Sequence, residues 1–202
     1  MRSRAAATVL TTAGFRDVAS MAGGIHAWEG IVAEGPPEAG MAYFTVASKP
    51  EELIGLAWIL EEGSRKFYAV LSSSLEDKEA AGLLQSLASA EENHKSSLMG
   101  LYNSLAAAGP DKRSPNELFP ASASGDIMEG GVPVADALTW AQNKSLAEIL
   151  DLAISLEANS YDLYIKMERR MDEADSKRVF VLLSKEEKEH LTRLAALLDR
   201  KL

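Results

Sequence analysis

"AEENHKSSL", residues 90–98, and "KEEKEHLTRL", residues 185–194, each place a histidine three residues after a glutamate. The chain has only three histidines, so two of them in the same E-x-x-H setting need a reason. On a helix of ~3.6 residues per turn, Glu91 and His94 share one face, and so do Glu187 and His190. A constant offset of 96 residues relates the first pair to the second. The same offset relates Glu52 to Glu148, Leu56 to Leu152, Ala57 to Ala153, Leu60 to Leu156, Glu61 to Glu157, Ser64 to Ser160 and Tyr68 to Tyr164. It also relates Leu87 to Leu183, Leu98 to Leu194 and Leu101 to Leu197, with no gap. Leucines recur by chance in helices. Two of three histidines and two of five tyrosines falling on one offset are more telling. The pattern reads as two copies of a helix pair packed about a pseudo-twofold axis.

The flanking sequence supplies the helices. "SKPE" offers Ser48 as N-cap, Pro50 in the first turn and Glu51 at the third position, a capping box. Apolar residues then recur at helical spacing through Leu53, Leu56, Leu60, Phe67 and Leu71 until "SSSLEDKE" interrupts them. A second helix is expected from about Asp77 to Ala108, ending at Gly109-Pro110. "SPNELFPASASGDIMEGGVPV" reads as loop and "ADALTWAQ" as a short helix. "SLAE", residues 145–148, opens a third long helix, which breaks near "MDEADS" before a fourth runs to the C-terminus. The expectation is all-α: an antiparallel four-helix bundle with a long central crossover.

Glu61 and Tyr68 share a face, as do Glu157 and Tyr164. The 30 residues from Glu61 to Glu91 let the chain turn and return level, and the second copy repeats that spacing. Four helices can therefore aim Glu61, Glu91, His94, Glu157, Glu187 and His190 at one level of the core. Without cations that level would be costly, because four buried carboxylates cannot all remain ionised together. Two divalent ions balance the charge. A Glu from each of two helices plus Glu-x-x-His from each of the other two is the di-iron carboxylate arrangement. The mixed oxygen and nitrogen set suits iron or manganese, with zinc or cobalt as possible substitutes. Tyr68 and Tyr164 are expected to donate to ligand carboxylates. Glu62, Glu92, Glu186 and Glu189 point off the ligand face and are expected in solvent. Trp58, Trp140 and the methionines are expected in the core or an interface.

Composition narrows the rest. The chain of 202 residues has an ordinary apolar fraction of 47% and no apolar run near the ~18–20 residues that span a bilayer. Zero cysteines exclude disulfides, thiolate metal sites and thiol catalysis within it. A formal charge of -9 argues against nucleic acid. The expected setting is cytoplasmic, with no membrane partner. "EGPPEAG", residues 34–40, reads as a linker, dividing residues 1–40 from 41–202.

"EEGSRKFY" with "EENH", then "EANSYDLY" with "EKEH", resemble the ligand helices of rubrerythrin-type di-iron domains in the ferritin-like superfamily. The resemblance implies Glu61, Glu91, His94, Glu157, Glu187 and His190 as ligands of two iron ions. Many rubrerythrins add a ligand glutamate three residues after the first glutamate of the third helix; Ser160 stands there. The cysteine-bound rubredoxin module of that family is absent too, so electrons would come from an external donor. "RSRAAATVLTTAGFRDVASMAGGIHAW", within residues 2–30, resembles the C-terminal end of a rhodanese domain, a small α/β remnant. It lacks the catalytic cysteine, so no sulfur transfer is expected, and His26 is taken as structural or exposed. The implied function is an oxidoreductase that reduces peroxide or dioxygen. Iron sequestration without turnover is the alternative, and a redox-inert protein with a zinc or empty site is a third. A homodimer is possible.

Overall fold

A computed structural model describes Gly14 and residues 50–106 and 126–202. The chain divides into two compact units, Met1–Ala39 and Gly40–Leu202. The rhodanese-like stretch, His26, the Ser48 cap and the linker lie outside the described residues.

Four long helices carry the second unit: α1 (Pro50–Ser74), α2 (Lys78–Ala106), α4 (Leu146–Arg170) and α5 (Ala174–Lys201). Between the two pairs lie β1 (Ile127–Met128), a 3-10 turn (Glu129–Gly131), β2 (Val132–Pro133) and the short helix α3 (Val134–Ala141). The caps explain where the helices begin. The Asp77 carboxylate accepts from the backbone N–H of Glu79 and Ala80, at 3.1 and 3.0 Å, so α2 starts just after it. Ser145 and Glu148 form the reciprocal capping box at the start of α4. α1 packs on α2 and α4 on α5, each pair joined by a tight turn and so antiparallel.

The core is two apolar clusters separated by a polar layer. One cluster gathers Phe67, Leu71, Leu84, Leu87, Leu150 and Leu156; the other gathers Ile54, Leu56, Leu60, Leu98, Phe180 and Leu183. α1 supplies the second cluster before Glu61 and the first after Ser64. α4, running through the second copy of the repeat, does the reverse. Each helix crosses the layer once, and the layer lies between two water-excluding plugs. Among the described residues no helix is long and apolar enough to cross a membrane.

The crossover differs from the expected plain loop. Ile127 pairs with Pro133 and Met128 with Val132, giving a minimal antiparallel hairpin that lies on α1. Lys66 clamps its start through Asp126 at 2.8 Å. Gly63 is what allows the approach: a Cβ there would stand 2.1 Å from the carbonyl oxygen of Ile127. Ordinarily Gly→Ala inside a helix stabilises by about 1 kcal/mol. Gly82, with open space around its Cβ position, should behave that way. Gly63→Ala should do the opposite. Forcing the hairpin off α1 costs about 2 kcal/mol, or about 4–8 °C in Tm for a chain of this size. Paired thermal melts of the two variants test this, and a Gly63→Ala chain as stable as wild type would contradict the packing.

Candidate metal centre

The polar layer holds five buried carboxylates, Glu61, Glu91, Glu129, Glu157 and Glu187, and two buried imidazoles, His94 and His190. α1 brings Glu61, α2 brings Glu91 and His94, α4 brings Glu157, and α5 brings Glu187 and His190. All six residues expected from the sequence meet. They form two groups whose donor atoms lie within 4.8 Å of one another: Glu61, Glu91, His94 and Glu187, and Glu157, Glu91, Glu187 and His190. Glu91 and Glu187 belong to both groups. The 96-residue offset exchanges the groups, as a pseudo-twofold axis requires. The imidazoles are stacked across that axis, with ring centroids 5.5 Å apart.

His94 Nδ1 lies 2.9 Å from Glu91, 3.1 Å from Glu187 and 3.5 Å from Glu61. None of these contacts has hydrogen-bond alignment. His94 Nδ1, one oxygen each of Glu61 and Glu91, and both oxygens of Glu187 are buried without a hydrogen-bond partner. Buried polar atoms are almost always paired. Donor atoms that converge without bonding one another are arranged for a cation, and the donor set fits a pair of divalent ions with shared carboxylates.

Electrostatics in the metal-free layer point the same way. Burial, then the Glu91 charge, holds Glu61 well above the usual carboxylate range. Burial, then Glu187 and Glu91, does the same to Glu157. Burial opposes ionisation of Glu187 too, but the adjacent imidazoles of His190 and His94 win and bring it down to about 2. Burial disfavours the imidazolium of His190, yet Glu157 and Glu187 outweigh it and push the value up to about 10. His94 is likewise raised against burial, chiefly by Glu61.

The tyrosines cross-link the copies. Tyr68 of α1 donates to Glu157 of α4 at 2.5 Å, and Tyr164 of α4 donates to Glu61 of α1. Each hydroxyl fixes one oxygen of a carboxylate from the other copy, leaving the second oxygen to turn toward the layer's centre.

Two features depart from the sequence expectation. Glu186, expected in solvent, sits 2.8 Å from His94 Nε2 and fixes the ring from outside, so that Nδ1 faces the other donors. Its counterpart by the 96-residue offset is Ala90, so His190 has no equivalent partner from that position. Glu62 is only partly exposed. Arg65 first, then Lys95, holds its carboxyl down to about 2. Lys95 also lies over the half-buried Trp58 ring, 5.1 Å from its centroid. Glu92 and Glu189 are exposed as expected.

Glu129 was not foreseen. It belongs to the crossover turn, is 2% exposed, and accepts a hydrogen bond from Ser64. Burial, then the Glu91 charge, pushes its carboxyl up to about 8. The sequence carries no periodicity there; its one signal is an acidic residue between apolar ones in "DIMEGGV".

Comparison with known proteins agrees with this geometry. The rubrerythrin family model matches residues 52–198, which take in all four long helices and the whole centre. The chain belongs to the rubrerythrin family, whose fold is the ferritin-like helical bundle and whose members are non-haem di-iron proteins. Among solved structures, "Hypothetical Protein Pfu-1136390-001" from Pyrococcus furiosus is similar in fold, with a TM-score of 0.59 and 24% identity. That match covers 82% of this chain and 95% of the other. No curated protein matches the sequence.

Proposed function

We propose that this chain is a di-iron oxidoreductase that reduces peroxide or dioxygen with electrons from an external donor. The observation that carries the reading is the set of buried, unpartnered donor atoms on Glu61, Glu91, His94 and Glu187. In this reading Glu61 and His94 serve one ion, Glu157 and His190 the other, and Glu91 and Glu187 both. Four carboxylates offset the four positive charges of two divalent ions, so the layer becomes neutral with neutral imidazoles. Bound iron would supply the electrons for cleaving an O–O bond.

The chain's own groups do the rest. Tyr68 and Tyr164 hold Glu157 and Glu61 in orientation. Glu186 fixes the ring of His94. The apolar clusters on either side exclude bulk water, which strengthens every charge interaction in the layer.

An anaerobic Fe(II) titration, followed by one equivalent of peroxide, tests the reading. Two irons per chain, oxidised rapidly with growth of near-ultraviolet oxo-ferric absorbance, are expected. Iron that binds but stays ferrous on exposure to both peroxide and dioxygen would replace catalysis with sequestration. A chain that takes up no iron would leave a redox-inert protein.

A further inference from the structure

Glu129 is a buried carboxylate that the duplicated ligand set does not require. The turn that carries it is delivered to the polar layer by specific packing: Gly63 admits the Ile127 carbonyl against α1, and Lys66 clamps Asp126. Its side-chain hydrogen bond comes from Ser64, a neutral hydroxyl. Its strongest charged neighbour is Glu91, with Glu187 also close enough to act on it, and both belong to the two donor groups at once. Burying a carboxylate is costly, and the charges of two others nearby add to that. A cation in the layer removes both costs.

The repeat adds a second argument. Every other acidic or imidazole group buried in the layer has a counterpart 96 residues away; Glu129 has none within the duplicated helices. Its partner Ser64 does have a counterpart, Ser160, which is buried but is not hydrogen-bonded to Glu129. Its hydrogen bond ties it to one half of the repeat only.

We propose that Glu129 is a fifth carboxylate ligand of the metal pair, serving one of its two positions and making them unequal. The proposal rests on the reading of the centre as a metal pair. In the metal-free fold Glu129 lies outside both donor groups; turned in from its bond to Ser64, it would give one position four carboxylates and an imidazole, against three and an imidazole at the other. The richer position should bind a hard divalent ion more tightly and at higher coordination number.

Anaerobic titration of the full metal-free chain with Co(II), followed by its visible d–d absorbance, decides the matter. Wild type should bind two ions in two resolved steps. Glu129→Gln, close in size, should still bind two, with one step weakened at least about tenfold and the other unchanged. The weakened step should show stronger absorbance, as cobalt of lower coordination number does. Metal-free Glu129→Gln should melt at or above wild type, because a carboxyl that burial keeps largely protonated is exchanged for a neutral amide of similar shape. If it melts below, Ser64→Ala, which frees the carboxylate without deleting it, should change the same single step. A variant whose affinities and spectrum match wild type, or one that weakens both steps equally, overturns the proposal while leaving the metal pair standing. Wild type that takes up no cobalt overturns both.

Discussion

Glu187→Gln abolishes tight binding at both metal positions, whereas Glu61→Gln weakens one. Glu187 is one of two side chains common to both donor groups. Its Oε1 lies 3.1 Å from His94 Nδ1 and its Oε2 3.4 Å from His190 Nδ1, so a single carboxylate faces both halves. The amide keeps the shape but loses the charge, and one of its two ends becomes a donor that repels a cation. Changes outside the ligand set commonly cost about 10- to 100-fold in metal affinity, so losing a shared ligand should exceed about 100-fold at each position. Glu61 enters one group only. Competition against a chromophoric chelator measures both affinities. The metal-free Glu187→Gln chain should melt below wild type, because the charge that the His94 and His190 imidazoles favour in the fold is gone, so affinities are compared on chain of wild-type helicity. If one position keeps wild-type affinity in this variant, Glu187 is not shared.

The second large effect is the response to stripping the metal, and it depends on pH. At a free-ion concentration of about 100 Kd, binding stabilises by about 2.7 kcal/mol, so chelation should lower Tm by about 5–10 °C for a chain of this length. In the metal-free fold, burial and the neighbouring carboxylates raise Glu61 and Glu157, and His190 is raised to about 10. Groups with raised folded values hold more protons than the unfolded chain does. Their contribution to the metal-free fold is therefore lost as pH rises, for His190 between its unfolded value near ~6.5 and about 10. Metal binding needs those same groups deprotonated, so affinity climbs over the same interval. The gap in Tm between loaded and stripped chain should widen from about pH 6 to pH 9. Metal binding at neutral pH should also release protons, detectable as a calorimetric heat that changes with the buffer's ionisation enthalpy. A buffer-independent heat and a constant gap would mean that the layer holds no displaceable protons.

The repeat made most of the centre readable before any coordinates. Its six donor residues sit at helix positions, where face and level follow from spacing alone, and the tyrosines fall one helix face away. The third long helix was readable from its cap: Ser145 competes for backbone N–H groups wherever it stands, so its effect is local. Glu129 was opaque because its position is set by packing. Two-residue strands carry no period, and the turn is brought to the layer by tertiary packing: Ile127 against Gly63, and Asp126 on Lys66. The role of Glu186 is hidden for a related reason. Azimuth on its own helix points it away from Glu187, but α2 lies beside that flank and offers His94 Nε2.

The pairing of His94 with Glu186, opposite an alanine at residue 90, bears on why one chain carries both helix pairs. Two identical helix hairpins associating as separate molecules could have built the six-residue centre, but any substitution would have struck both halves together. Joined in one polypeptide, each half can vary alone. A carboxylate behind one imidazole leaves the other as it was, so a covalent duplication can give its two metal positions different basicities, and through them different duties.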